Sequence, residues 1–401
     1  VTLRRTVLAF YAYRATTIPG FTWPVLTIYL LDQRLSYAAI AAAGAALAAT
    51  NIAAELPTGY VADRLGRRNA LLVGACCFLV ADLGFLLVRS PLDAALVYGT
   101  LGVAEAFLSG TTGAWLYDAL AAHDATEEFT RVSGRAGAVR RWSGAAMMLT
   151  AGPLYLFDHR LPFVAMAVLN VLSVGLVLAL PRVTRRREHA LSIRAAPRVL
   201  REHLLKPGMR GFVVFFALYA ALRRGVGSYT QPVTVDVLRP LLAGIPPEAV
   251  LGVVYAGFTA LGALAADRAT DAESVLGDRG VLFVLPVVAA LALVVPLAVP
   301  LAVLPAFFLL RGVTALVAPV RNRFLNERIP SAGRATVLSA ASLSFAGVRI
   351  PLLLGAGVLA DAAGPMVAVA ALGGVLLAGA AGVVLAGVPF ATARDASVGA
   401  D

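Results

Sequence analysis

The feature that most constrains this chain is a succession of apolar runs separated by short polar connections. A helix that crosses a bilayer needs about 20 consecutive apolar residues. Stretches of about that length or longer fall at 6–31, 36–62, 69–89, 92–120, 129–157, 161–181, 210–239, 247–267, 280–298, 300–327, 333–360 and 364–389. Lipid offers no partner to backbone N–H and C=O groups, so each run must satisfy its own as a helix. Only 14% of the 401 residues are charged, against about 25% in a soluble domain. The expectation is an all-α integral membrane protein with twelve transmembrane helices.

Charge placement sets the topology. The net charge is +11, but the arginines do not form one surface for nucleic acid. They gather after even-numbered runs: Arg64, Arg67 and Arg68, then Arg185 to Arg187, Arg268 and Arg279, and Arg328 and Arg334. The opposite connections hold isolated ones, Arg34, Arg89, Arg160 and Arg239. Basic loops stay on the cytoplasmic side, so both termini are expected there, and run 6–31 reads as an uncleaved first helix. The basic excess speaks for contact with anionic membrane lipid and against a nucleic-acid partner. Cys76 and Cys77 are helix neighbours and imply no disulfide. His123, His159, His189 and His203 are scattered in connections, with no metal-site spacing, and no Walker loop is present. No enzyme activity, cofactor or metal is expected.

The longest connection, 182–209, carries Arg182, Arg185, Arg186, Arg187, Arg194, Arg198, Arg201 and Lys206 among Leu and Val. It suits an amphipathic helix lying on headgroups, or a solvated basic tether. It separates an N-terminal bundle, 1–181, from a C-terminal bundle, 210–390, with a tail at 391–401. The halves echo each other. Tyr11-Ala12 matches Tyr219-Ala220, and Phe21-Thr22-Trp23-Pro24-Val25 matches Tyr229-Thr230-Gln231-Pro232-Val233 at the same offset. Internal repetition in a many-helix chain points to a pseudo-symmetric transporter with its site between the halves.

Between the second and third runs lies Gly59-Tyr60-Val61-Ala62-Asp63-Arg64-Leu65-Gly66-Arg67-Arg68. So short a hinge must be a tight hairpin at the membrane surface, with Gly66 at the turn. This stretch resembles the loop between helices 2 and 3 of the major facilitator superfamily of secondary transporters over all ten positions. Glu55-Leu56-Pro57-Thr58-Gly59 before it and Phe107-Leu108-Ser109-Gly110 with Ala114-Trp115-Leu116-Tyr117-Asp118 after it extend the likeness. The resemblance implies two six-helix bundles, alternating access and a conformational lock made of Gly59, Asp63, Arg64, Gly66, Arg67, Arg68 and Asp118. In it Asp63 faces the start of helix 11 near Arg334, and Arg67 pairs with Asp118. A loop needed only for insertion and folding is the alternative reading.

Charges at membrane depth mark the expected cavity. They are Arg14 in run 1, Glu105 in run 4, Arg140 and Arg141 in run 5, Arg223 and Arg224 in run 7, Arg311 in run 10 and Arg349 in run 11. A charge at the bilayer centre costs roughly 3 kcal/mol or more, so each should face a cavity or a partner. The resemblance places helices 1, 4, 7 and 10 around the central cavity with 5 and 11 beside them, so Arg14, Arg141, Arg223, Arg224 and Arg311 become substrate candidates. Asp82, in run 3, is read as structural. Glu105, Ser109 and Thr112 form a polar stripe at helical spacing, and Gly102, Ala106, Gly110 and Ala114 a small-residue stripe suited to close packing. Glu105 reads either as a proton carrier or as a static partner of Arg141. In run 5, Gly144 and Gly152-Pro153 are followed by Leu154-Tyr155-Leu156-Phe157. The closing glycines of the family's drug–proton antiporter signature are absent there.

The expected function is secondary active transport at the cell (plasma) membrane by a monomer, coupled to protons. The cargo is a small molecule, an organic anion or an amphipathic compound destined for efflux. A non-transporting membrane sensor or scaffold on the same fold is the reading from another class.

Overall fold

The computed structural model describes residues 2–183, 207–328 and 334–386. The side chains of Leu56, Asp63 and most of 334–346 are not among those described. Most of the basic connection, the tail and residues 329–333 lie outside the described residues, and with them the expected amphipathic helix and the expected neighbour of Asp63 at the start of helix 11.

Among the described residues the chain is helical, without strands. The first segment gives α1 (Leu3–Thr16), α2 (Leu26–Asp32), α3 (Tyr37–Leu65), α4 (Arg67–Phe85), α5 (Pro91–Leu108), α6 (Thr111–Ala121), α7 (Phe129–Phe157) and α8 (Leu161–Ala179). After the undescribed connection come α9 (Pro207–Leu238), α10 (Glu248–Asp267), α11 (Ala269–Arg279), a π-helical turn (Gly280–Val284), α12 (Leu285–Ala292), α13 (Val303–Arg328), α14 (Arg334–Ala363) and α15 (Pro365–Leu385). Local chemistry sets many boundaries. The Ser36 side chain accepts from the Ala39 N–H to start α3. Ser90 and Asp93 form a reciprocal capping box at α5, with Pro91 at its first position.

Nine helical stretches among the described residues are long and apolar enough to cross a membrane. Three expected spans are not among them. Run 6–31 is divided into α1 and α2, because Pro19 and Pro24 lack the N–H groups that would carry a helix across 17–25. Run 129–157 is one unbroken helix, but Arg131, Arg135, Arg140 and Arg141 make its first half polar. Run 333–360 falls in α14, most of whose first half is not among the described side chains, so that span is left untested. Large apolar side chains face outward, Trp142 at 74% and Phe157 at 88% exposure, as suits a lipid-facing surface.

The chain divides into two compact units, one of residues 1–188 with 242–256, the other of 189–241 with 257–401. In the first, α3 and α4 pack on α5, α4 on α8, and α1 on α7. One core cluster in it centres on Phe10, Tyr13, Leu71, Trp115, Leu116 and Val132. Phe10 stacks on Trp115 with ring centroids 5.5 Å apart, and the Trp115 indole donates to the Pro181 carbonyl at 3.3 Å. In the second, α9 packs against α14 and α15 and touches α13, where Phe212 stacks on Phe324 at 4.7 Å.

Candidate functional site

The hairpin between α3 and α4 turns at Gly66, whose φ of +84° is open to glycine and strained for other residues. Its two following arginines point to different partners. The Arg67 guanidinium lies 2.8 Å from the Asp118 carboxylate on α6, with the two side chains 16% and 7% exposed, and also donates to the Ala114 carbonyl. Arg68 donates through Nε to the Val177 carbonyl at 3.1 Å and through Nη2 to Leu178. Those carbonyls belong to the last turn of α8, where intrahelical donors run short; Val177 also accepts from the Leu180 N–H at 3.1 Å. One short loop thereby ties the start of α4 to α6 and to the end of α8. Gly59 and Arg64 are exposed, and the Arg64 guanidinium covers the Tyr60 ring at 4.6 Å. Of the Asp63 side chain nothing is described.

Deeper in the same unit, the Ser143 hydroxyl of α7 donates to the Ala15 carbonyl of α1 at 2.9 Å. That bond brings Arg14, in the last turn of α1, beside Arg140 of α7, within electrostatic reach of each other and of Tyr13. Arg14 and Arg140 are half-buried; Arg141 is exposed. Asp82 is buried and accepts a hydrogen bond from Asn170 of α8, a pairing of two packed helices.

Glu105 is exposed on α5, and no ion pair joins it to Arg141 or to any other described residue. The expected stripe of Glu105, Ser109 and Thr112 is not continuous. α5 stops at Leu108; Ser109 turns extended and Gly110 takes φ +73° before α6 begins. The Thr111 N–H bonds Ser109 O at 2.8 Å, and the Thr112 hydroxyl takes the Leu108 carbonyl at 3.1 Å. Of the expected small-residue stripe, Gly102 does pack closely. A Cβ there would lie 2.2 Å from Thr50 Oγ1 and 2.4 Å from the Leu47 carbonyl of α3. Gly110 instead has open space around it and serves the break.

In the second unit, Arg223 and Arg224 of α9 are exposed, and Arg311 of α13 and Arg349 of α14 are half-buried. Arg311 covers the Phe258 ring at 5.4 Å. Arg321 of α13, absent from the sequence-derived set, lies within electrostatic reach of Arg223, as do Arg224 and Arg311. It escapes hydropathy because it sits near the basic end of its run. Its signal is helical spacing: ten residues from Arg311 and seven from Thr314, it shares their side of α13. Two further groupings were also missed. Arg323 bridges Glu273 at 2.5 Å and Asp278 at 2.7 Å, joining α11 to α13. At the other end of the first unit, the Tyr155 hydroxyl donates to Asp32, His159 Nδ1 lies 3.3 Å from the same carboxylate, and the Tyr155 and His159 rings stack at 4.4 Å. The spacing Tyr155-x-x-x-His159 was its sequence signal. No cluster suited to a metal ion occurs among the described residues.

Comparison with known proteins bears on the whole chain. No curated protein matches it. Among solved structures, the nucleoside transporter NupG superposes with a TM-score of 0.79 at 12% identity, covering 96% of this chain and 99% of that one. The POT family transporter PepTSo gives 0.72 at 13% identity, covering 96% and 97%. A D-xylose–proton symporter gives 0.64 at 15% identity, covering 93% and 94%. At such identities the likeness is one of fold. The sequence model of the Major Facilitator Superfamily matches residues 6–351, most of the chain and both halves, and the protein therefore belongs to that superfamily of membrane transporters.

Proposed function

We propose that this protein is a proton-coupled secondary transporter working by alternating access, with Glu105 as the coupling acid. The observation that carries the reading is a carboxylate, exposed and without an ion pair among the described residues, one turn before a break in a membrane-spanning helix. A carboxylate facing lipid is costly, so Glu105 belongs on a watered path or takes up a proton. Interrupted helices in transporters free backbone groups where cargo and coupling ions bind. Proton symport is the activity named for one solved transporter of this fold. In this reading the chain has twelve spans in bundles 1–181 and 210–390. Both termini are cytoplasmic in the plasma membrane, and the protein works as a monomer in contact with lipid. The cargo is a small organic anion or an amphipathic compound. The hairpin set of Gly59, Asp63, Arg64, Gly66, Arg67, Arg68 and Asp118 biases the balance between conformational states, as a bistable ion-pair contact does.

The test is solute-driven proton movement. Proteoliposomes enclosing a pH-sensitive dye are challenged with pooled small organic anions and amphipathic compounds. The account expects at least one pool to change the internal pH with the wild type and not with Glu105→Gln. Proton movement of equal size in both would remove Glu105 from the mechanism.

A further inference from the structure

Four arginines of the second unit are gathered along two antiparallel helices, with no carboxylate paired to them among the described residues. Two contacts fix the register of α9 against α13. Phe212 stacks on Phe324, and seven residues on along α9 the Tyr219 hydroxyl meets the Thr314 hydroxyl at 3.1 Å, ten residues back along α13. Arg223, one turn past Tyr219, is thereby level with Arg311, and Arg224 adjoins it. Arg321 falls about 15 Å from Arg311 along α13, on the far side of the Tyr219–Thr314 bond. The result is a strip with guanidinium groups at both ends and two hydroxyls between them.

None of the four forms an ion pair among the described residues. The nearby acids Glu273, Asp278 and Glu327 are all engaged with Arg323. Asp236 lies twelve residues beyond Arg224 on α9, about 18 Å away at 1.5 Å per residue. Residues 334–346, whose side chains are mostly undescribed, contain no Asp or Glu. The Thr314 hydroxyl donates to the Leu310 carbonyl at 2.7 Å, so the Tyr219 proton serves Thr314. Both hydroxyl protons are spent, and the free donors of the strip are guanidinium N–H groups. Uncompensated cations at membrane depth are costly unless an anion completes them, and guanidinium forks match carboxylate and phosphate oxygens.

We propose that this strip of α9 and α13 is an anion site, taking a species with two or more phosphate or carboxylate charges that the separated ends can grip together. The inference rests on the transport reading for its role, since it names the anion as the cargo class. The same chemistry is offered by a soluble solute and by a lipid phosphate.

The test is thermal unfolding of the full chain in phosphatidylcholine nanodiscs, with sodium pyrophosphate or sodium citrate against sodium chloride at matched ionic strength. The polyanions should raise Tm saturably and chloride should not, because a ligand of the folded state stabilises it by mass action. Arg223→Gln and Arg311→Gln should each raise the anion-free Tm, by relieving like-charge repulsion, and weaken the apparent anion affinity about tenfold or more. Arg223→Lys should keep the response, and Arg239→Gln, just past the end of α9, should change neither quantity. Phosphatidylglycerol nanodiscs separate the sources. If that lipid abolishes the response to soluble polyanion in the wild type, the occupant is a headgroup and the anion site stands. No polyanion response, a response surviving both Gln variants, or Gln variants that melt early would overturn the inference. Proton-coupled movement of a neutral compound without polyanion binding would overturn it alone and leave the transport reading intact. Polyanion binding without proton movement would do the reverse.

Discussion

Arg67 and Arg68 stand side by side, yet their substitution should have different consequences. Arg67→Ala leaves the buried Asp118 without its cation, a loss of about 3 kcal/mol. Arg68→Ala removes hydrogen bonds to carbonyls at the frayed end of α8, worth about 1 kcal/mol each. Thermal unfolding of the two variants in one detergent should therefore rank Arg67→Ala well below Arg68→Ala; equal Tm values would contradict the assignment. Gly102 gives a second residue-scale prediction. Its missing side chain lets α3 and α5 meet, with Asn51 donating to its carbonyl at 3.2 Å. Gly102→Leu should separate the helices and cost about 1–3 kcal/mol by overpacking, read as a lower Tm and poorer recovery of folded protein. The Arg67–Asp118 contact was legible because a ten-residue motif carries it. The Arg68 target was not, because a backbone carbonyl 109 positions away leaves no mark on the sequence.

At the scale of the element, interruptions matter more than lengths. Hydropathy counts apolar residues without testing whether the helix through them is continuous, so 92–120 reads as one span although it folds as α5 and α6. Ser109 and Gly110 are small and only weakly polar, and the break between them is invisible to a sliding average. The break between α1 and α2 had a clearer signal in Pro19 and Pro24. Gly110→Ala places a Cβ on a residue with φ +73° and ψ −41°, a strained γ-turn-like conformation, at a cost of about 1–3 kcal/mol, with no steric clash to add to it. The variant should fold and insert with a modestly lower Tm and show slower solute-driven proton movement, because the break adjoins Glu105. Unchanged transport would separate the break from the mechanism.

At the scale of the molecule, the all-helical membrane architecture was legible because lipid leaves the backbone few alternatives, and the hairpin motif narrowed it to one superfamily. The site was legible only in part. Arg223 and Arg311 could be placed by depth in their runs, but the register that sets them level comes from Phe212–Phe324 and Tyr219–Thr314, contacts about a hundred residues apart that no periodicity announces. The pairing of Glu105 with Arg141 failed for the same reason: helical depth fixes height in the membrane and leaves direction around the axis to packing. In the proposed mechanism Glu105 couples cargo to protons. Its most direct test is uptake of a labelled solute, one that moves protons in the dye assay, by proteoliposomes with and without an imposed pH gradient, for the wild type and Glu105→Gln, alongside a melting curve of each. The account predicts that the gradient accelerates wild-type uptake, and that Glu105→Gln melts with the wild type, still exchanges solute and ignores the gradient. A wild type indifferent to the gradient, or a Glu105→Gln variant with the full gradient response, would contradict it.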